Sequence, residues 1–309
     1  MRTGKVKESI WKRSIARQLH RDGEDVLPMS FHICGTQGWT LAPRRVLYGG
    51  GNLLATEGDG DGSFRLSIFL PEGTTEERLK GLIREIAILS EEMGVSVSVE
   101  QAVVSPRMQT LLVTAAVAGT KKPQALPEPH MDIVVAGTVG REGAAMAAIE
   151  REQELLSRYA PSYIEQAKHL FDDADMRRAV SAAKDAGAVF IRHLSEGGVF
   201  AGLWELAAAG KVGLDVALKR IPIKQHTIEV CEFFRCNPYM MFSAGSLLMT
   251  CKEGESVVKA VKEQGIPAAV IGKTTEGNDK IIRYDDEVRY LEPPKEDEYY
   301  KRILGGNYA

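Results

Sequence analysis

Phe190-Ile-Arg-His-Leu-Ser-Glu-Gly-Gly-Val-Phe-Ala-Gly-Leu-Trp-Glu-Leu-Ala-Ala-Ala209 begins as an apolar strand and passes through a polar turn at Gly197-Gly198. It continues with apolar residues at Val199, Leu203, Leu206 and Ala207, the spacing of one buried helical face. A strand that turns tightly into a helix leaves the first helical N–H groups without intrahelical partners, and the helix dipole favours an anion there. Two readings stay open: the turn cradles a phosphate-bearing ligand, or two glycines simply let the chain pass from strand to helix. Either way the unit belongs to an α/β or α+β fold.

Working outward, Met131–Ala136 is an apolar strand, 137–143 a glycine-rich turn, and Ala144 to about Ala186 a helical region broken near Pro161. Downstream, the pattern alternates through Ile221-Pro-Ile223, a helix over Thr227–Phe234, a strand over Ser246–Thr250, a helix over Glu255–Gln264 and a strand over Ala268–Gly272. The segment Lys121–His130 carries three prolines and no apolar period, which reads as a linker and divides the chain into 1–121 and 122–309.

In the first part, Phe64–Leu70 alternates as a strand, and Thr75 caps a helix with apolar residues at Leu79, Leu82, Ile83, Ile86 and Leu89 that Gly94 stops. Val95–Val104 and Thr110–Ala118 read as two more strands, whereas Leu27–Pro43 has little periodicity. Gly49-Gly-Gly-Asn52 permits close backbone approach or unusual dihedrals. Glu57, Asp59 and Asp61 follow, and Asp-x-Asp-Gly also begins calcium loops. Leu70 stands where such a loop needs its bidentate Glu, so a solvated turn is the expectation, and these three acids are the only metal candidates in the stretch.

A chain of 309 residues that is 44% hydrophobic and 26% charged can bury a core, and a net charge of -3 gives no footprint for nucleic acid. No run of about 18 uncharged apolar residues offers a membrane span. Arg2–Arg21 is basic, with Ile10, Trp11, Ile15 and Leu19 at helical spacing. It lacks a signal-type apolar core and cleavage site, so a helix packed on its own domain is expected. Cys34, Cys231, Cys236 and Cys251 sit at mostly hydrophobic positions, and Cys231 and Cys236 have neither zinc nor redox spacing. Buried thiols in the cytoplasm are the expectation.

These blocks, in this order, resemble the aminoimidazole ribonucleotide (AIR) synthase superfamily, in particular its AIR-synthase-related, hydrogenase expression/formation branch. Gly140-Arg-Glu-Gly-Ala-Ala-Met146 is similar to that family's glycine-rich turn, and His193-Leu-Ser-Glu-Gly-Gly198 to its His-Asp-Pro-Thr-Glu-Gly-Gly turn. Ile221-Pro-Ile223, Cys231, Asn237-Pro238, Ser243–Leu248, Ala269–Gly272, and Pro293-Pro294 with Asp297-Glu298 match later blocks. Gly4-Lys5, Gly51-Asn52 and Leu70–Thr75 match earlier ones. The resemblance implies a PurM-like fold of two α/β domains, with the N-terminal sheet (1–121) closing a barrel with a second copy's in a homodimer and 122–309 forming the C-terminal domain. It also implies ATP between domains and subunits, held through magnesium on aspartates, for phosphorylating or dehydrating an amide, acyl or carbamoyl substrate.

The aspartates are missing. The positions that match the family's acidic loops read Gly35–Ala42 without an acid, Asn52-Leu-Leu-Ala55, Val99-Glu-Gln-Ala102 and His193-Leu194-Ser195, and leucine offers magnesium no ligand. Ile303–Ala309 holds no cysteine to match the one on which the hydrogenase maturation enzymes carry their chemistry, so that activity is not expected. The glycine turns remain. The candidate phosphate or nucleotide ligands are therefore Asn52, Gly140, Glu142, Gly143, His193, Ser195, Glu196, Gly197, Gly198, Ser243, Gly245 and Ser246, with no assigned catalytic residue. Arg141 and Arg192 either pair with phosphate or are surface charges, His193 either donates or packs, and Trp204 and Glu205 fit core and solvent face. The expectation is a catalytically degenerate, cytoplasmic homodimer that keeps an ATP or phosphate pocket with magnesium in doubt. The alternative is an active ATP-dependent enzyme with relocated metal ligands, and a third reading is a structural subunit of an active paralogue.

Overall fold

The computed structural model describes residues 29–58, 62–120 and 123–305; the expected helix over Arg2–Arg21, and Asp59 and Asp61, lie outside them. The chain runs through β1 (Met29–Gln37), α1 (Ala42–Glu57), β2 (Ser63–Pro71), α2 (Glu76–Met93), β3 (Ser96–Ser105) and β4 (Leu112–Thr120). These strands form one sheet in the order β1-β4-β2-β3, antiparallel except for β2 and β3, which α2 connects as a crossover. Alternation decides the faces: Phe64, Leu66, Ile68 and Leu70 are buried in one cluster with Leu82, Ile86 and Leu89 of α2. Each such side chain contributes roughly 2 kcal/mol of transfer free energy. Thr75 accepts from the Arg78 amide, and Gly94 ends α2 in a left-handed conformation.

The second part runs β5 (Asp132–Ala136), α3 (Arg141–Glu150), α4 (Glu152–Leu155), α5 (Pro161–Lys168), α6 (Arg177–Asp185), β6 (Ala188–His193), α7 (Gly198–Gly210), β7 (Gly213–Ala217) and α8 (Gln225–Phe234). After these come β8 (Leu247–Cys251), α9 (Gly254–Glu263), β9 (Ala268–Thr275), β10 (Lys280–Tyr284), β11 (Glu287–Tyr290) and a π-helical turn at Tyr299–Leu304. Its sheet has the order β11-β10-β7-β9-β5-β8-β6, with only β10 and β7 parallel. Buried on both faces, β5 splits its residues. Ile133 and Val135 pack with α7, while Val134 and Ala136 pack with α6 and α9.

Several sequence expectations are corrected here. The stretch with little periodicity, Leu27–Pro43, contains β1, which pairs with β4 along its whole length. Gly49-Gly-Gly51 lies inside α1, and of the two uses expected for it the structure shows close approach: a Cβ on Gly50 would come within 2.5 Å of the Phe64 ring of β2, and one on Gly51 within 2.9 Å of Met93 of α2. Ile221-Pro-Ile223 is irregular, and just upstream of it lies β7, a strand without a place in the sequence reading. Glu57, which reads as part of a turn, is the last residue of α1.

Helix α1 also reaches the second part of the chain. Arg44 pairs with Asp172, Arg45 with Glu142, and the Lys184 ammonium donates to the Ala55 carbonyl at 2.6 Å. Among the described residues, no helix is long and apolar enough to cross a membrane.

Candidate functional site

The three glycine turns meet beside α1. Two of them have left-handed glycines at the helix entry, Gly140 (φ 70°) before α3 and Gly197 (φ 78°) before α7, and neither helix has a side-chain cap. In the third, Gly245 has φ 81°. The turns bond to one another. The Gly140 amide donates to Ser243 Oγ at 2.8 Å, and the Gly143 amide to the Phe242 carbonyl at 3.1 Å. The Ser243 amide donates to the Ser195 carbonyl at 3.1 Å, and Ser246 Oγ to the Thr138 carbonyl at 2.9 Å.

Several of the donors that an anion would use are engaged by the protein's own acceptors. Glu142 accepts from the Ala244 amide (3.0 Å) through one oxygen and from Arg45 Nε (2.8 Å) through the other. Asp297 Oδ2, a hundred residues away in the chain, accepts from the Gly197 amide at 2.7 Å, so a carboxylate already sits at the start of α7. Arg141 points inward, to the Leu170 and Gly245 carbonyls and to Asp173, and Arg192 pairs with Glu205 on the surface.

Asn52 joins the two parts of the chain. Its amide donates to the Ala174 carbonyl (2.9 Å) and its oxygen accepts from the Met176 amide (2.7 Å), both in buried surroundings. Asn52 Nδ2 and the Gly245 amide also converge on His193 Nε2, each at 3.3 Å. Two N–H donors on one ring nitrogen require that nitrogen to be an acceptor, so His193 is neutral with its proton on Nδ1. Burial of the ring depresses its pKa to about 4. A depressed histidine contributes stability that is complete above its unfolded value near 6.5 and is lost as pH falls towards 4. Chemical denaturation at about pH 7 and about pH 5 is expected to show a loss on the order of 2 kcal/mol that His193→Gln largely removes.

The structure therefore brings together Asn52, Gly140, Glu142, Gly143, His193, Ser195, Gly197, Gly198, Ser243, Gly245 and Ser246, with Glu196 in the same turn. His193 Nε2 is turned to the Asn52 side chain and the Gly245 amide. Leu194, where the resemblance calls for an aspartate, is 2% exposed, and a Cβ on Gly202 of α7 would come within 2.3 Å of its side chain. Among the described residues no group of three His, Cys, Asp or Glu side chains is arranged to hold a metal ion. Sequence reasoning missed Arg45 and Asp297, the partners that occupy the turns. Their signal is faint, a cation in an apolar helix and an acid before Tyr299-Tyr300. A 610 Å³ cavity, lined by Ser162, Glu165, Gln166, His169, Lys224 and His226 among others, includes none of the candidate residues.

The family model for the AIR synthase related protein, C-terminal domain, matches residues 128–285, which carry all three turns. The chain belongs to the AIR synthase related family. Among similar members, a chain of Methanocaldococcus jannaschii named as a hydrogenase expression/formation protein is 24% identical over 84% of this chain and 76% of that one. Carbamoyl dehydratase HypE of Rhizobium leguminosarum is 23% identical over 91% of this chain and 85% of its own. A solved hydrogenase maturation protein HypE in complex with ATP superposes with a TM-score of 0.74 at 15% identity, over 96% of this chain and 98% of that one. The two-sheet, mixed α/β arrangement is thus that of the PurM-like HypE proteins, and this chain is a HypE-like AIR synthase related protein.

Proposed function

We propose that this AIR synthase related protein is a catalytically degenerate homodimer that retains a pocket for a nucleotide or another phosphate ligand. The observation that carries the reading is Leu194. The position that matches the family's aspartate holds a side chain packed into the core against α7, so neither space nor charge is left there for a metal. The candidate ligands remain the turn residues around Gly140–Gly143, Ser195–Gly198 and Ser243–Ser246. Support for a nucleotide comes from the solved HypE with ATP. The reading divides the chain near the prolines of 121–130, with the N-terminal unit as the dimerisation domain.

ATP with and without magnesium, tested by thermal shift and by ADP release, separates this from the alternative. A thermal shift that magnesium does not enlarge, with no ADP released, is expected. Magnesium-dependent ADP release by the pure protein, abolished by Glu57→Gln, would establish the active ATP-dependent enzyme with relocated ligands. That alternative takes its relocated metal ligands from the acids at the end of α1 and just after it, Glu57 first among them.

Support for the dimer comes from the first sheet. Its face opposite α2 carries half-buried Phe69, and Val103 of edge strand β3, its register partner, is 39% exposed. We infer that a second copy's sheet covers this face, as in the barrel that the family resemblance implies. Phe69→Asp is expected to halve the mass in sedimentation; an unchanged mass would remove the proposed interface.

A further inference from the structure

Helix α3 opens on Arg141, one residue past the left-handed Gly140, and its guanidinium lies at the junction of the turns. The side chain is 4% exposed. Its Nε donates to the Leu170 carbonyl (2.7 Å), its Nη1 to the Gly245 carbonyl (3.4 Å) and its Nη2 to the Asp173 carboxylate. A guanidinium has five N–H donors. These bonds use three of them, and among the described residues no other acceptor takes the remaining two. A buried cation needs a counter-charge, because a desolvated charge is costly unless it is paired. Among the described residues, Asp173 is the one acid bonded to it.

That counter-charge is held loosely on a fixed loop. The Asp173 side chain is 79% exposed, although the main chain around it, between Phe171 and α6, is pinned. Tyr48 donates to the Asp172 carbonyl (3.1 Å) and Asn52 to the Ala174 carbonyl (2.9 Å), while Asn52 accepts from the Met176 amide (2.7 Å). Ala174 is buried against Gly245, where an added Cβ would come within 2.7 Å of it. The other two acids of the loop have cations of their own. Asp172 pairs with Arg44 and His169, and Asp175 with Arg177. Asp173 alone of the three turns to the junction, and rotation of its side chain is enough to take it away.

We propose that Arg141 is the cation that binds the ligand's phosphate group and that Asp173 is a displaceable acid standing in for it. This rests on the reading that the turns keep a phosphate pocket. Leaving the guanidinium bare is costly, whereas trading one anion for another keeps it paired. A phosphate presents two oxygens to the fork of Nη1 and Nη2, so it takes up the spare donors that Asp173 leaves unused. The displaced carboxylate returns to water, where it already stands for the most part. The amides of Gly197 and Ala244 are taken by Asp297 and Glu142, which leaves the Asp173 side of the junction as the way in. A guanidinium there balances the phosphate charge without a metal, in keeping with the packed Leu194.

Isothermal titration of the full chain with inorganic phosphate and with magnesium-free ATP tests the exchange. Asp173→Asn removes the competing charge and is expected to bind about threefold to tenfold more tightly than the natural chain. Asp175→Asn removes an equal charge from the same loop and is expected to bind as the natural chain does. Arg141→Lys keeps a charge but loses the fork, and is expected to bind about tenfold more weakly. Tightening for ATP and not for phosphate would assign the site to a nucleotide's phosphates; tightening for both, to any phosphate group. Binding that Asp173→Asn leaves unchanged, that Asp175→Asn tightens as much, or that Arg141→Lys does not weaken would overturn the exchange and leave the pocket standing. No binding of either anion, by the natural chain or by Asp173→Asn, would overturn both.

Discussion

Replacing Arg45 by methionine is expected to cost about 3–5 kcal/mol of unfolding free energy, because it leaves the Glu142 carboxylate buried with only the Ala244 amide. The two side chains are 9% and 5% exposed, so water cannot substitute for the lost guanidinium. The double change Arg45→Met with Glu142→Met is expected to recover most of the loss, since no buried charge remains. It still gives up about 1–3 kcal/mol for the Ala244 amide left without an acceptor. Arg283 and Asp215 form a comparable pair at the surface, 47% and 35% exposed, and Arg283→Met is expected to cost less than about 1 kcal/mol. Urea denaturation of the four proteins reads all of these values. A loss in Arg45→Met no larger than that in Arg283→Met would show that the pair does not hold α1 to the turns.

The second large effect belongs to Gly198. It has φ 63°, and a Cβ there would stand 2.6 Å from the Tyr239 carbonyl oxygen and 2.7 Å from that of Met241. Gly198→Ala therefore combines a left-handed backbone, about 1–3 kcal/mol, with crowding against main-chain atoms that cannot rotate away, about 1–3 kcal/mol more. Gly73 supplies the control, with φ 82° and nothing within 4 Å of its missing Cβ, so Gly73→Ala carries the backbone cost alone. Comparing the urea midpoints of the two variants separates conformational strain from contact. Equal losses would mean that the turn yields to the added methyl group.

Elements whose side chains divide between core and water are legible in the sequence: β2 by its alternation, α2 by its apolar stripe between Thr75 and Gly94, and α7 by Val199, Leu203, Leu206 and Ala207, which are 0–2% exposed. The elements it hides carry a different signal. In α1, three glycines ordinarily argue against a helix, yet Gly50 lets it pack closely on β2, and β10 and β11 are short strands of which β11 is exposed at every position. The candidate turns are legible for the same reason, because glycine has few uses there other than left-handed dihedrals. What closes them is not, since Arg45 and Asp297 act across about a hundred residues and no local pattern tells what either one pairs with.

The placement of β5 sets a timetable for the chain. It is the first strand of its sheet to be made and sits near the middle of that sheet, yet its neighbours are β8 and β9, which begin at Leu247 and Ala268. A growing polypeptide would carry Asp132–Ala136, with both ladders unpaired, through the synthesis of α3 to α8 before either partner exists. Assembly of this half is therefore expected to wait until synthesis is nearly complete and then to proceed slowly, as is usual when pairing is non-local. Chains interrupted before Leu247 would expose a bare apolar strand, which makes them natural clients for chaperones and early substrates for proteases.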